Sequence, residues 1–383
     1  MAKVAIWSFP TRVLFGDGAA AETGNEAKRL GVTKALLVTD KGVVATGLLA
    51  PVAEALRKAG ISVATFDGVD SNPVEKNVED GVRAYRESGA ELIVAVGGGS
   101  PLDVGKIIRL RARPGVHERP LVEYDDATGG DAYITPNVPP MLALPTTAGT
   151  GSEVGRSGVV TLDANHRKTV IFSPHLMPTA AILDPELTLT MPARTTAATG
   201  FDALTHCLEA FVALGDHPMA DAIALGGLGL VAANIARAVA SPTDLGARGA
   251  MMKAAMMGAV AFQKGLGACH SLAHPLSNLC ALHHGLANAL CLPAVVDFNG
   301  ETVEARLGEA ARAFGVKPSS RALSARLREL RAELGLPDSL RAAGVRPEQI
   351  DPLADGAIED ACHRLNPRPC TRADLFALYQ ASM

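Results

Sequence analysis

Short, continuously apolar runs alternate with helical patterns through the first half of the chain. Such runs are typical of strands that are buried on both faces of a parallel sheet, and apolar residues at every third or fourth position are typical of amphipathic helices. This half therefore predicts an α/β domain with a mostly parallel sheet. The predicted strands are 35–39, 61–66, 92–96, 141–144 and 180–183, with helices over 48–59 and 78–88, and a hairpin over 158–162 and 169–173 around a polar turn at 163–167.

The pattern changes after residue 187, where strand signals nearly vanish and apolar residues recur at spacings of three and four positions. We therefore expect two domains: an α/β domain over 1–187 and an all-helical domain over 188–383. A chain of 383 residues is long enough for two domains of ordinary size. The predicted helices of the second domain are 193–212, 220–239, 245–279 and 320–334, some of them broken by glycine or proline.

The charge distribution argues against binding to nucleic acid or to an acidic membrane surface. The formal net charge is −4, and no block of like charge stands out. The most apolar stretch, 222–233, is far shorter than the ~20 residues that a membrane-spanning helix needs. The N-terminal segment 1–15 lacks the long apolar core of a signal peptide.

Six cysteines are irregularly spaced and form no CxxC pair. In a chain with 48% hydrophobic residues, they are typical of reduced, mostly buried thiols. We therefore expect a cytoplasmic protein.

The helical half contains a cluster of potential metal ligands. Asp202 and His206, in the run GFDALTH, are four residues apart and would project from one face of a helix. A second run, CHSLAHPLSNLCALHHG, contains His270, His274, His283 and His284. Carboxylate and imidazole ligands that converge from two helices suit Fe²⁺ or Zn²⁺. Taken singly, each of these residues is more often a hydrogen-bonded core histidine or a surface contact, but the apolar surroundings would make unpartnered imidazoles costly.

A phosphate-binding turn is predicted where the strand over 92–96 enters the run GGGSPLD. The glycines allow close approach of a ligand, and the N-terminus of the following helix favours a diphosphate. Ser100 is the expected N-cap of that helix, with Asp103 in its first turn. The run is not the GxGxxG fingerprint, so a plain strand-to-helix turn is an equally good interpretation.

Two further features fit a nucleotide site. Asp40 follows the strand over 35–39, where a carboxylate can bind a ribose diol and repel a 2′-phosphate; the alternative is a turn or cap residue. The loop PTTAGTGSEVGRS, 145–157, is rich in hydroxyls and glycine. Long loops inside compact domains are more often functional than idle.

Taken together, these runs resemble the iron-containing (group III) alcohol dehydrogenase family. The resemblance covers nearly the whole chain, from VLFGDGA near the start to ACHRLNPRP near the end. The motifs that carry it are VTDKG, GGGSPLD, PTTAGTGSE, DPELT, TAATGFDALTHCLEA and the HxxxHP…HHG block. The runs AFQKGLG and LVTDKGVVA look most like the 4-hydroxybutyrate dehydrogenases within this family.

The resemblance implies a fold and a set of site residues. The fold is an α/β nucleotide-binding domain followed by an all-α metal-binding domain, as in dehydroquinate synthase. The metal, Fe²⁺ or another divalent ion such as Zn²⁺, is implied to bind Asp202, His206, His270 and His284, with His274 near the substrate. NAD is implied, because Asp40 stands where members that prefer NADP tend to have glycine. The implied NAD contacts are Asp40, Asn72, Gly98, Gly99, Ser100, Asp103, Thr146, Thr147, Thr150 and Lys168.

The implied activity is hydride transfer between NAD and a small primary alcohol, 4-hydroxybutyrate and a diol being candidates. Family members are usually homodimers or larger assemblies, so a homo-oligomer is expected. Arg156 is a candidate partner for a substrate carboxylate. One alternative is a metal- and NAD-dependent lyase like dehydroquinate synthase, which would release no net NADH. Another is a non-catalytic NAD-binding protein of this fold, but such a protein would be expected to have lost a metal ligand.

Overall fold

The structure, a computed structural model, describes residues 11–164 and 167–383. Residues 1–10, which make up most of the N-terminal segment, and residues 165 and 166 of the predicted hairpin turn lie outside the described residues. The chain divides into two compact units. The α/β unit comprises 11–147 and Ser152–Thr190, and the helical unit comprises Ala148–Gly151 and Met191–Met383.

Eight strands lie in the α/β unit. They are β1 (Arg12–Phe15), β2 (Lys34–Val38), β3 (Ser62–Phe66), β4 (Leu92–Gly97), β5 (Met141–Pro145), β6 (Ser157–Thr161), β7 (Lys168–Phe172) and β8 (Ala180–Leu183). Six of them form one parallel sheet in the order β1-β8-β5-β4-β2-β3, and β6 and β7 form an antiparallel hairpin. The parallel sheet, the hairpin and all five predicted strands are confirmed. Strand β1 was not predicted, because it has only four residues and no fully buried one.

Helices cover both faces of this sheet. They are α1 (Thr23–Arg29), α2 (Lys41–Thr46), α3 (Leu49–Lys58), α4 (Glu75–Ser88) and α5 (Gly99–Arg111). Alternate residues of a strand point to opposite faces, and β2 follows this rule. Leu36 and Val38 belong to the core formed with α4 and α5, whereas Leu37 belongs to the core formed with α1 and α3. This two-sided burial is the reason for the continuous apolar runs in the sequence.

The helical unit contains the remaining long helices. They are α6 (Ala193–Val212), α7 (Pro218–Ala240), α8 (Leu245–Ala261), α9 (Ala268–Leu279), α10 (His284–Ala313), α11 (Ser320–Glu333), α12 (Ile350–Glu359) and α13 (Arg372–Ala381). The helix predicted over 245–279 is two helices, α8 and α9, separated by a short 3₁₀ turn and two glycines. Helices α10, α12 and α13 were not predicted.

Helix α7 corrects the prediction that no apolar segment is long enough to span a membrane. By length and composition alone, its 23 residues would suffice. The sequence estimate was too short because it counted the uninterrupted apolar run rather than the whole helix. One face of α7, which includes Ala224, Leu228 and Val231, is buried and packs against α6 and α8. A core helix passes the same test of length and composition, so α7 is weak evidence for a membrane span.

The four-residue segment Ala148–Gly151 belongs to the helical unit, and two glycines explain its close packing there. A Cβ atom on Gly149 would lie 2.8 Å from the Thr199 Cβ, and one on Gly151 would lie 2.2 Å from the Ala259 Cβ. Gly151 also has a φ of +62°, which favours glycine. The loop therefore packs against α6 and α8 at a distance that larger residues would not allow. The predicted domain ranges, 1–187 and 188–383, do not assign Ala148–Gly151 to the helical domain, and they stay a prediction.

Candidate active site

Three helices bring the four predicted metal ligands together. Asp202 and His206 lie one turn apart on α6, His270 lies in the first turn of α9, and His284 is the first residue of α10. Their Nε2 atoms surround one oxygen, Asp202 Oδ1, at 3.9 Å from His206, 4.0 Å from His270 and 3.5 Å from His284. The rings of His206 and His270 stack with centroids 4.6 Å apart. The carboxylate oxygen and three imidazole nitrogens thus converge on one point.

This convergence fits a divalent cation. Asp202, His206 and His270 are buried, and His270 Nε2 has no hydrogen-bond partner. A buried nitrogen without a partner is costly unless a ligand binds it. Two atoms bound to one such ion lie about 3–3.5 Å apart, since each metal–ligand bond is about 2.1 Å. The nitrogens lie 3.5–4.0 Å from Asp202 Oδ1, and the ligand atoms of Asp202, His206 and His270 all lie within 4.8 Å of one another. These three residues could close around an ion by a small contraction, and His284 would move toward them to complete the set.

Burial and mutual proximity shift the pKa values of His206, His284 and Asp202 toward the metal-binding state. Burial also opposes protonation of His270, but Glu209 outweighs it and raises the pKa of this ring. Burial lowers the pKa of His206 to about 4 and that of His284 well below its usual value. Burial alone would raise the pKa of Asp202, but the neighbouring imidazoles lower it. At neutral pH, His206 and His284 are therefore neutral and Asp202 is ionised, which are the forms that bind metal.

Two buried residues that the sequence analysis did not single out contact these ligands. Glu209 Oε2 lies 2.5 Å from His270 Nδ1. Asn288 Nδ2 donates to Asp202 Oδ1 at 2.8 Å and lies 3.3 Å from His284 Nε2. A signal for Glu209 was present, because it follows His206 by three positions on the same face of α6.

His274 is held beside the ligands by a carboxylate. Its Nδ1 lies 2.7 Å from Asp360 Oδ2, and its ring stacks on that of His284 with centroids 5.3 Å apart. Asp360 also accepts hydrogen bonds from the Ser271 hydroxyl and the Cys362 amide. Burial opposes ionisation of Asp360, but His274 and these donors outweigh it and lower the pKa of the carboxyl group. Sequence reasoning found His274 and missed Asp360, which is 86 residues away.

The predicted nucleotide residues of the glycine turn lie at the C-terminal ends of β4 and β5. The first helix residue is Gly99 and its N-cap is Gly98, so the prediction of Ser100 as N-cap is wrong. The prediction of Asp103 in the first turn is wrong as well, because the helix begins at Gly99 and its first turn holds no acidic residue. Ser100 lies inside the first turn, and its hydroxyl donates to the Ser71 carbonyl instead. A Cβ on Gly98 would lie 3.3 Å from Thr147 Cγ2, so the two chain segments approach closely. Thr146, the residue before it, donates its amide to the Gly97 carbonyl.

Three other predicted nucleotide residues belong to the α/β unit. Asp40 caps α2 by accepting from the Val43 amide at 2.9 Å, which agrees with the alternative interpretation as a cap and leaves its second oxygen for a ligand. Lys168 Nζ donates to Asn72 Oδ1 at 3.1 Å, and burial lowers the pKa of this lysine. Thr150 differs from the others, because it belongs to the helical unit.

Asp103 is engaged within the α/β unit. Its carboxylate accepts from the Ser152 hydroxyl at 2.6 Å and from the Val159 amide at 3.2 Å. The fully buried Lys106 donates to Ser152 Oγ and to the Ser157 carbonyl, each at 2.7 Å. These contacts fasten α5 to the start of β6, so the structural role of Asp103 is to hold the loop that follows β5.

Comparisons with known proteins agree with this geometry. The profile of the iron-containing alcohol dehydrogenases matches residues 10–185, and that of their C-terminal region matches residues 196–383. The chain is 43% identical to a 4-hydroxybutyrate dehydrogenase of Cupriavidus necator, over 97% of this chain and 98% of the relative.

Two solved structures are similar over nearly their whole length. A 1,3-propanediol oxidoreductase has a TM-score of 0.95 at 36% identity, with both chains fully covered. A sulfoacetaldehyde reductase of Bifidobacterium kashiwanohense, solved in complex with NAD⁺, has a TM-score of 0.90 at 30% identity, with 99% of each chain covered. The predicted fold class and the prediction of an NAD-linked, metal-dependent alcohol dehydrogenase are confirmed. The chain belongs to the iron-containing alcohol dehydrogenase family.

Proposed function

We propose that Asp202, His206, His270 and His284 hold the catalytic metal of this dehydrogenase. The observation that carries the proposal is the placement of three imidazole Nε2 atoms within 4.0 Å of one buried carboxylate oxygen. When bound, a divalent ion supplies Lewis acidity that favours the alkoxide over the alcohol and polarises the aldehyde. Fe²⁺ and Zn²⁺ both suit this mixed oxygen and nitrogen set.

The residues around this set bury and orient most of the ligands. The apolar packing of α6, with Phe201 and Leu204 fully buried, keeps Asp202 and His206 away from solvent, whereas the side chain of His284 is 30% exposed. Asn288 orients the Asp202 carboxylate by donating to Oδ1. His274 is the candidate acid–base residue: Asp360 holds its Nδ1, and its other nitrogen exchanges the proton of the substrate hydroxyl. A bound nicotinamide would supply the hydride chemistry, so no protein nucleophile is required.

All the proposed NAD contacts except Thr150 belong to the α/β unit. The partly buried N-terminus of α5, with Gly98, Gly99 and Ser100, offers amides and a favourable dipole to the diphosphate. Asp40 binds the ribose diol and excludes a 2′-phosphate, so NAD is the proposed cofactor rather than NADP. The remaining proposed contacts are Asn72, Asp103, Thr146, Thr147, Thr150 and Lys168.

We further propose an ω-hydroxy acid, 4-hydroxybutyrate, as the substrate. Its support is the similarity to a 4-hydroxybutyrate dehydrogenase together with the state of Arg156. This half-buried guanidinium lies over the Phe172 ring at 5.5 Å, and within the described ranges no carboxylate lies within 4 Å of it. Burial lowers the pKa of Arg156, so an incoming carboxylate would relieve an unpaired charge. A short diol is the alternative, and it would not need Arg156. A cytoplasmic homodimer or larger homo-oligomer is the proposed state of the enzyme.

Two experiments test these proposals. His270→Ala should lose bound metal and NADH formation together, and full activity without metal would contradict the proposed metal set. Arg156→Leu should raise the KM for 4-hydroxybutyrate at least about tenfold, a loss of about 1.4 kcal/mol. The KM for 1,3-propanediol should stay unchanged, and an equal loss for both substrates would contradict the role of Arg156.

A further inference from the structure

Glu209 forms a buried bridge between α6 and α9. Its carboxylate is 2% exposed and receives two hydrogen bonds. Oε1 accepts from the backbone amide of Cys269 at 2.6 Å, in the first turn of α9, and Oε2 lies 2.5 Å from His270 Nδ1. The helix dipole stabilises a carboxylate at the N-terminus of a helix. The first turn of α9 therefore stabilises the ionised Glu209, and Glu209 in turn stabilises this end of α9.

This bridge determines which nitrogen of His270 carries the proton. A carboxylate only accepts hydrogen bonds, so Nδ1 must be the protonated nitrogen of the neutral ring. The lone pair then lies on Nε2, which has no hydrogen-bond partner and lies 4.0 Å from Asp202 Oδ1. We infer that Glu209 is a positioning residue that fixes the tautomer and the direction of His270 for metal binding. The inference rests on the proposed metal site.

An amide cannot replace this carboxylate. Two N–H donors converge on Glu209, one from Cys269 and one from His270. A glutamine offers one acceptor oxygen and one NH₂ group, so it satisfies only one of the two donors. Either α9 loses the contact at its first turn, or His270 changes tautomer and presents a protonated Nε2 where the metal must bind. Both outcomes weaken metal binding, although the side chain has the same size.

The backbone around Glu209 is shaped to receive it. A Cβ atom on Gly267, the N-cap of α9, would lie 2.8 Å from both Glu209 Oε1 and Asn366 Oδ1. These contacts are shorter than real Cβ atoms show, so an alanine at this position would displace the carboxylate without altering any charged group. Gly267→Ala therefore disturbs the same contact by a second route.

The test measures metal affinity rather than activity. The full chain is stripped of metal and titrated with Zn²⁺ against a chelator of known affinity. Glu209→Gln is expected to bind Zn²⁺ about 10–100-fold more weakly than the wild type, the usual effect of losing a residue that orients a metal-binding histidine. Gly267→Ala should weaken binding in the same direction. Glu209→Asp keeps two acceptor oxygens and should recover part of the affinity. The far-UV circular dichroism of each metal-free variant should match that of the wild type, which confirms that the helical unit containing Glu209 is folded.

A matched control removes the same charge from a neighbouring histidine. Asp360→Asn neutralises the carboxylate that contacts His274 Nδ1. Since His274 is not in the proposed metal set, this variant should change the Zn²⁺ affinity less than threefold. In the metal-free protein labelled with ¹⁵N-histidine, the wild type should show His270 protonated at Nδ1, and Glu209→Gln should lose that signature.

Three results would overturn the inference. They are an unchanged Zn²⁺ affinity in Glu209→Gln, an equal loss in Asp360→Asn, and a wild-type His270 that is protonated at Nε2 and not at Nδ1. A wild-type chain that binds no Zn²⁺ would overturn the proposed metal site itself, and the inference with it.

Discussion

The carboxyl group of Glu153 should make the stability of the α/β unit fall as the pH rises. Glu153 is 3% exposed and follows Ser152, which bridges Asp103 and the buried Lys106. The Lys106 ammonium lies 3.7 Å from Asp103 Oδ1 and also attracts the Glu153 carboxylate. Burial raises the pKa of Glu153 from 4.5 to about 7, although its own backbone amide and Lys106 partly oppose the shift.

The size of the effect follows from this shift. Between pH 4.5 and 7 the native chain keeps a proton that the unfolded chain has lost, so rising pH favours the unfolded state. A displacement from 4.5 to about 7 corresponds to about 3 kcal/mol above pH 7, since each pKa unit is about 1.4 kcal/mol. At pH 5 the same group costs less than about 1 kcal/mol. Glu153→Gln removes the titration while keeping the size of the side chain, so it should remove this loss.

Scanning calorimetry across pH 5–8.5 checks this prediction, with the transition that NAD shifts taken as that of the α/β unit. At pH 8.5, Glu153→Gln should melt about 6–12 °C above the wild type, since about 1 kcal/mol shifts the melting temperature of a unit this size by 2–4 °C. At pH 5 the two proteins should nearly coincide. Glu87→Gln, which removes an exposed carboxyl group, is the matched control and should shift the melting temperature little. Parallel pH profiles for Glu153→Gln and the wild type would refute the reasoning.

Three further predictions concern cofactor choice, the buried lysine and the metal. Asp40→Gly should raise the ratio of kcat/KM for NADP to that for NAD at least about tenfold, equivalent to about 1.4 kcal/mol. Loss of the helix cap should lower the free energy of unfolding by only a few tenths of a kcal/mol. An unchanged ratio would argue against Asp40 as the ribose contact. Lys106→Met should destabilise the α/β unit by about 3–5 kcal/mol at pH 8 in denaturant unfolding, because it leaves Asp103 and Glu153 without their cation; a neutral substitution would contradict that network. Chelation of a metal present at 100 times its Kd should lower the free energy of unfolding by about 2.7 kcal/mol, and re-addition of Zn²⁺ should restore it; no change in melting would argue against the proposed site.

The sequence alone predicted much of the site, because part of it depends only on local helical spacing. Asp202 and His206 are one helical turn apart, so a helical pattern alone places them on one face. His270 and His284 stand in a run unusually rich in histidine, and the resemblance to a known family connected them to α6. The contacts of Glu209 with His270 and of Asp360 with His274 span 61 and 86 residues, and no local pattern states which helices pack together.

Local periodicity by itself determined the class of each half of the chain. Strands buried on both faces must be apolar at every position, and amphipathic helices must repeat every three to four residues, so the parallel sheet and the change to helices after residue 187 are written in the order of side chains. Only the tertiary structure decided the details that depend on distant neighbours: the pairing of β1 with β8, the start of α5 at Gly99 rather than after Ser100, and the grouping of Ala148–Gly151 with the helices. The energies that settle these choices come from close contacts between segments far apart in the chain, and a single sequence records the residues that make such contacts but not which of them meet.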